Sequence, residues 1–82
     1  MFMGQEEFKK ISIKSICDVD FLDIQEKDIY MVWFCKTLQN AKGLFSTDTR
    51  KGWYWECTYN GDKEELYIDT YMKSSNDVIK VK

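Results

Sequence analysis

Residues 28–38, DIYMVWFCKTL, carry seven consecutive apolar positions, Ile29 to Cys35. β-Branched and aromatic side chains dominate the run and suit a pleated, packed surface. Both alternating sets are apolar. Ile29, Met31, Trp33 and Cys35 form one; Tyr30, Val32 and Phe34 form the other. A strand apolar on both faces is either covered on both or offers one to a partner. The helix and sheet around it decide between the two.

Downstream, the same signal repeats in shorter runs. A second strand is expected over residues 41–47, with Gly43 marking a bulge or a close backbone approach. Gln39 and Asn40 provide the turn before it. Asp48-Thr49-Arg50-Lys51-Gly52 reads as a polar hairpin loop. In the third strand, 53–59, Trp53, Trp55, Cys57 and Tyr59 alternate with Tyr54, Glu56 and Thr58. Asn60-Gly61 then predicts a two-residue type I′ hairpin; a turn at Gly61-Asp62 keeps the same faces and stays open. A fourth strand, 65–72, returns with Trp55 opposite Leu66, Trp53 opposite Ile68 and Tyr54 opposite Tyr67. Val78 to Val81 either add a short edge strand or fray.

Upstream, residues 5–17 (QEEFKKISIKSIC) predict one amphipathic helix. Phe8, Ile11, Ser12, Ser15 and Ile16, with Val19 beyond, recur at helical spacing. Glu6 and Glu7 lie in its first turn, where the helix dipole favours anions. Phe21, Leu22 and Ile24 are expected to pin the connection to the core edge, and Asp23 with Glu26 resembles the start of a short helical turn. The expected fold is a single α+β domain over 1–82. An N-terminal helix packs on a four-stranded antiparallel β-meander, with a fifth strand left open, in two layers.

Composition narrows the function classes. The chain has 82 residues, 44% hydrophobic and 32% charged, a globular balance with a thin core. A net charge of −2 argues against a general DNA or RNA binder. Histidine is absent, and Cys17, Cys35 and Cys57 are widely spaced with no CxxC. No metal centre or cofactor is expected. Cys35 and Cys57 read as small buried hydrophobes. No nucleophile–base pair can be assembled, so an enzyme is not expected. Three thiols suit a reducing cytosol. Met1-Phe2-Met3 leads at once into Gly4, Gln5, Glu6 and Glu7, unlike a signal peptide, and no apolar run has transmembrane length.

A helix of thirteen residues is about 20 Å long and covers one face of a small sheet. The other face is expected to carry Tyr54, Glu56, Thr58, Tyr67, Asp69 and Tyr71. One set from the first strand joins them, either Trp33 with Met31 or Phe34 with Tyr30. Trp33, Tyr54, Glu56, Tyr67, Asp69 and Tyr71 are thus the candidate binding residues. Exposed apolar area rimmed by carboxylates marks association, and Tyr and Trp are favoured anchors. The plain alternative is cross-strand pairing for stability alone. Lys36, Lys42, Arg50 and Lys51 form a second candidate group that could meet a phosphate or, equally, only keep the hairpin soluble. With the aromatic rings stacking a base, they would make a nucleotide-type ligand site. A homodimer built on the same patch is a third reading.

The run DIYMVWFCKTLQNAKGLFST, followed by YNGDKEELYIDTYMK, resembles a family of small uncharacterised phage and prophage proteins from Gram-positive bacteria. Four features carry the likeness. They are the VWF-x-KTLQN segment at Val32–Asn40, Ser46–Thr47, the turn at Tyr59–Lys63 and the Tyr-x-Asp-x-Tyr strand at Tyr67–Tyr71. The helix is similar only in character. The resemblance implies an origin in phage, action in the host cytosol and function by binding a host or defence protein. It implies no catalytic residue.

Overall fold

The computed structural model describes residues 4–19 and 24–81. Helix α1 (Gln5–Val19) leads through a 3₁₀ turn (Glu26–Asp28) into four strands. These are β1 (Ile29–Thr37), β2 (Asn40–Thr47), β3 (Trp53–Asn60) and β4 (Glu65–Met72). They pair antiparallel in the order β1-β2-β3-β4, an open meander with α1 on one face. The expected α+β arrangement is therefore present, with strand ends within a residue of those read from the pattern. Phe21, Leu22 and Asp23 lie outside the described residues; Ile24 is buried as expected. The Asp28 carboxylate accepts the Gln25 N–H at 3.3 Å and closes the 3₁₀ turn. Residues 73–81 carry no strand, so no fifth strand forms among the described residues.

The helix buries Phe8, Ser12, Ile13 and Ile16. At 100° per residue this arc spans about 140° from Phe8 to Ile13 and leaves Ile11 on the far side of Phe8. Ile11 is accordingly exposed, which corrects the stripe drawn through it; Val19 falls within the arc but is the last residue of the helix and is exposed too. Phe8 anchors the layer. Its ring lies 5.3 Å from that of Phe34 and 6.1 Å from that of Phe45. Gly43, paired with Phe34, supplies the hollow: a Cβ there would sit 2.8 Å from the Phe8 ring. The close approach anticipated at Gly43 is thus real, while the bulge lies on the neighbouring strand.

That bulge falls between Met31 and Trp33 and inserts Val32 into β1. An extra residue reverses the alternation beyond it. Ile29, Met31 and Phe34 therefore face the helix, whereas Tyr30, Trp33 and Cys35 face away. Neither set proposed for the first strand survives whole. Cys35 is exposed, not buried, for the same reason; Cys57 is buried.

The β3–β4 connection also departs from the two-residue turn. Tyr59 faces Leu66 and Asn60 faces Glu65, so Gly61 to Glu64 form a four-residue loop. The Asn60 side chain accepts the N–H groups of Asp62 (3.0 Å) and Lys63 (3.3 Å), and Glu64 takes φ 55°. Asn60 thus caps the turn with its side chain instead of occupying it. The register moves by four positions, an even number, and every side chain keeps its expected face. Tyr54 now opposes Tyr71, Trp55 opposes Thr70 and Trp53 opposes Met72.

Inside the core, Ser12 is fully buried with no nitrogen or oxygen partner among the described residues, and Cys57 lies beside it. Burial raises the Cys57 thiol from 9.0 to about 11; Asp69 and Glu56 add to the rise, and the Ser12 hydroxyl opposes it. The folded state holds this proton more tightly than the unfolded chain does. Stability is therefore full below pH 9 and falls as pH climbs through about 11. Denaturant titrations at pH 8 and at pH 10.5 should show the loss. Cys57→Ala should shrink the difference between the two.

Candidate functional site

The sheet face turned away from α1 forms a grid set by strand register. One row runs Tyr30, Ser46, Tyr54, Tyr71. The next runs Trp33, Leu44, Glu56, Asp69. The third runs Cys35, Lys42, Thr58, Tyr67. Register thus brings all six expected binding residues onto one face. Tyr30, Trp33, Tyr67 and Tyr71 remain 41–51% exposed, while Tyr54 and Glu56 are half-buried between them.

Glu56 and Asp69 oppose each other directly on adjacent strands. Like charges so placed destabilise a sheet. Two neighbours moderate the pair. Lys42 Nζ lies 3.7 Å from Glu56, and Tyr71 stands close enough that the Glu56 charge, burial and the Asp69 charge hold its hydroxyl above the usual phenol range. Tyr67 donates to Glu65, and that bond raises its phenol as well. At the edges of the face, Ser46 Oγ donates to the Trp53 carbonyl at 2.9 Å and Tyr30 donates to Asp48 at 3.5 Å.

A shallow concavity of about 460 Å³ opens at the β1–β2 end of the face. Trp33, Cys35, Lys42 and Thr58 line it, with Thr37, Asn40 and Ala41 toward the turn. Leu44 and Cys35 belong to this face but were not singled out by pattern, and Tyr30 joins Trp33 here although the expected sets kept the two apart. Trp33 and Cys35 reach the same side as Tyr30 through the Val32 bulge, which leaves no mark in the alternation.

The second candidate group is dispersed. Lys36 shares a register position with buried Ala41 on the helix side, and its amine donates to the Leu38 carbonyl. Lys42 is on the outer face, paired with Glu56. Arg50 and Lys51 occupy the β2–β3 loop. The strand from Lys42 to Thr47 alone puts roughly 17 Å between Lys42 and that loop. These four do not converge on one anion. Among the described residues no group of three or more His, Cys, Asp or Glu could hold a metal ion, and no helix is long and apolar enough to cross a membrane.

A family profile matches residues 5–81. The chain belongs to DUF6275, a family of unknown function. No curated protein and no solved structure matches it. The DUF6275 match takes in α1, all four strands and the segment after β4, so the outer face lies wholly within the family unit.

Proposed function

We propose that this DUF6275 chain is a small binding protein that occupies a host or defence-system protein through its outer sheet face. One observation carries the reading. At the centre of an exposed aromatic face stands a directly opposed carboxylate pair, Glu56 and Asp69, only part-neutralised by Lys42. A protein that breaks a local stability rule without a compensating gain commonly does so at a functional site. A cationic side chain from a partner would relieve the repulsion, and the surrounding rings would supply anchors. The partner class is thus a protein with a basic groove. An origin among phage and prophage proteins of Gram-positive bacteria, acting in the host cytosol, fits the sequence resemblance and belongs to the same proposal.

Affinity capture from a host lysate tests it. Tyr67→Ala/Tyr71→Ala and, separately, Trp33→Ala should each lose a protein that the parent chain captures, while circular dichroism shows both variants folded. Capture should weaken as salt rises. Retention of the same protein by both variants would exclude this face. The rival reading, a nucleotide-type ligand, predicts thermal stabilisation of several degrees by a single cyclic or linear nucleotide.

A further inference from the structure

The meander leaves two edge strands, and they differ. β1 is interrupted by the Val32 bulge, one of the devices that blunt an edge. β4 pairs with β3 over eight unbroken positions, Glu65 to Met72, and the chain contains no proline. Its free side therefore presents a full row of backbone donors and acceptors. On its inner side Leu66 and Ile68 are only half-buried, and Met72 is exposed. α1 makes its sheet contacts chiefly with β1 and β3, and Leu66 and Ile68 pack only at the margin of the core.

We propose that the β4 edge pairs antiparallel with β4 of a second copy of this chain, about a two-fold axis through Ile68. Pairing length and charge together select that register: an axis at Ile68 or Asp69 pairs seven residues of β4, an axis at Tyr67 or Thr70 only five. A symmetric antiparallel pair that keeps both outer faces on one side must place its axis through a residue. Strand β4 is centred between Ile68 and Asp69. An axis at Asp69 sets Asp69 against itself, and an axis at Tyr67 sets Asp69 against Glu65. The axis at Ile68 sets Tyr67 against Asp69 and Tyr71 against Glu65, each a phenol facing a carboxylate. On the inner side it stacks Ile68 on Ile68 and Thr70 beside Leu66. Lys73 then falls opposite Lys63 of the second copy, a like-charge contact at the end of the ladder, with Glu64 beside it to offset the repulsion. The result is an eight-stranded sheet in which the two outer faces are continuous. This edge is made of backbone and of β4 side chains, so it stands whether or not the outer face captures a protein.

Light scattering across a concentration series should show the mass rising from 9.8 kDa toward twice that value. Thr70→Lys, at an exposed position opposite Leu66 of the second copy, should weaken association at least tenfold without unfolding the monomer. Cysteine scanning in a Cys35→Ser background reads the register. Ile68→Cys faces its own copy at the roughly 4.5–5.5 Å Cβ spacing of opposed residues and should form a linked dimer on oxidation. Thr70→Cys would lie about 14 Å from its mate and should not. A mass that stays at the monomer value overturns the proposal. So does linkage through Thr70→Cys in place of Ile68→Cys. A chain that dimerises only once Ile79→Pro is introduced has its own tail on the edge, which also overturns it.

Discussion

Gly61→Ala should lower the unfolding free energy by about 3 kcal/mol, the upper end of the range for overpacking. An added Cβ would lie 2.2 Å from the Gln39 carbonyl oxygen and 2.8 Å from the Gln39 Cβ. Neither atom can retreat cheaply. Gln39 sits in the two-residue turn after β1, beside Leu38 at φ 54°, and that turn is tied to Gly61 by the Asn40 Oδ1, which accepts the Gly61 N–H at 3.2 Å. The two hairpin ends must therefore separate. In a domain of this size the loss corresponds to a fall in melting temperature on the order of 15 °C. Gly61→Asn discriminates the cause. If glycine were needed for a left-handed backbone, asparagine would be tolerated there. Because the constraint is the Gln39 carbonyl, Gly61→Asn should cost as much as Gly61→Ala. Gly4→Ala, with nothing within 4 Å of the added carbon, should change stability by less than about 1 kcal/mol.

Asn60-Gly61 illustrates what local pattern reveals and what it hides. The dipeptide marks a hairpin correctly, and a hairpin is there. Its geometry is set instead by two tertiary facts, the reach of the Asn60 side chain to two backbone N–H groups and the crowding of Gly61 by another turn. Neither is visible in a window of a few residues. Because the error is an even number of positions, the faces of β3 and β4 were readable from alternation alone, and with them Tyr54, Glu56, Tyr67, Asp69 and Tyr71. The same alternation fails on β1. There a single inserted residue, Val32, splits the run so that Tyr30 and Trp33 emerge together. In a stretch of seven apolar residues both phases look alike, so no sequence signal distinguishes a bulged strand from a regular one. The helix erred by a smaller rotation: Ile11 and Ile13 flank Ser12 symmetrically in the sequence, and the fold buries Ile13 and exposes Ile11. The direct opposition of Glu56 and Asp69 required the true register, since the register drawn from a two-residue turn separated them.

Gly43→Ala probes the contact on which the two layers depend. Its Cβ would meet the Phe8 ring at 2.8 Å, the Trp33 carbonyl at 3.2 Å and the Phe45 ring at 3.3 Å. Phe8 is fully buried, and its ring is held between Phe34 and Phe45, so it can move only by lifting the first turns of α1. The expected loss is about 2–3 kcal/mol. Set against the roughly 4–12 kcal/mol available to a domain of 82 residues, that is a large share. Phe8→Leu removes the ring that the new carbon would strike. The double variant should therefore be less destabilised than the sum of the single changes, with a coupling of about 1 kcal/mol or more between contacting sites. The Trp33 carbonyl is untouched by Phe8→Leu and should leave a residual cost. Additive losses would mean that Phe8 does not sit in the Gly43 hollow. Gly43 faces the helix, while Trp33, Tyr54, Glu56, Tyr67, Asp69 and Tyr71 project from the opposite side of the sheet. Folded Gly43→Ala protein should therefore still capture whatever the outer face is proposed to bind, which separates the two faces by experiment: one holds the layers together, and the other carries the exposed aromatic residues.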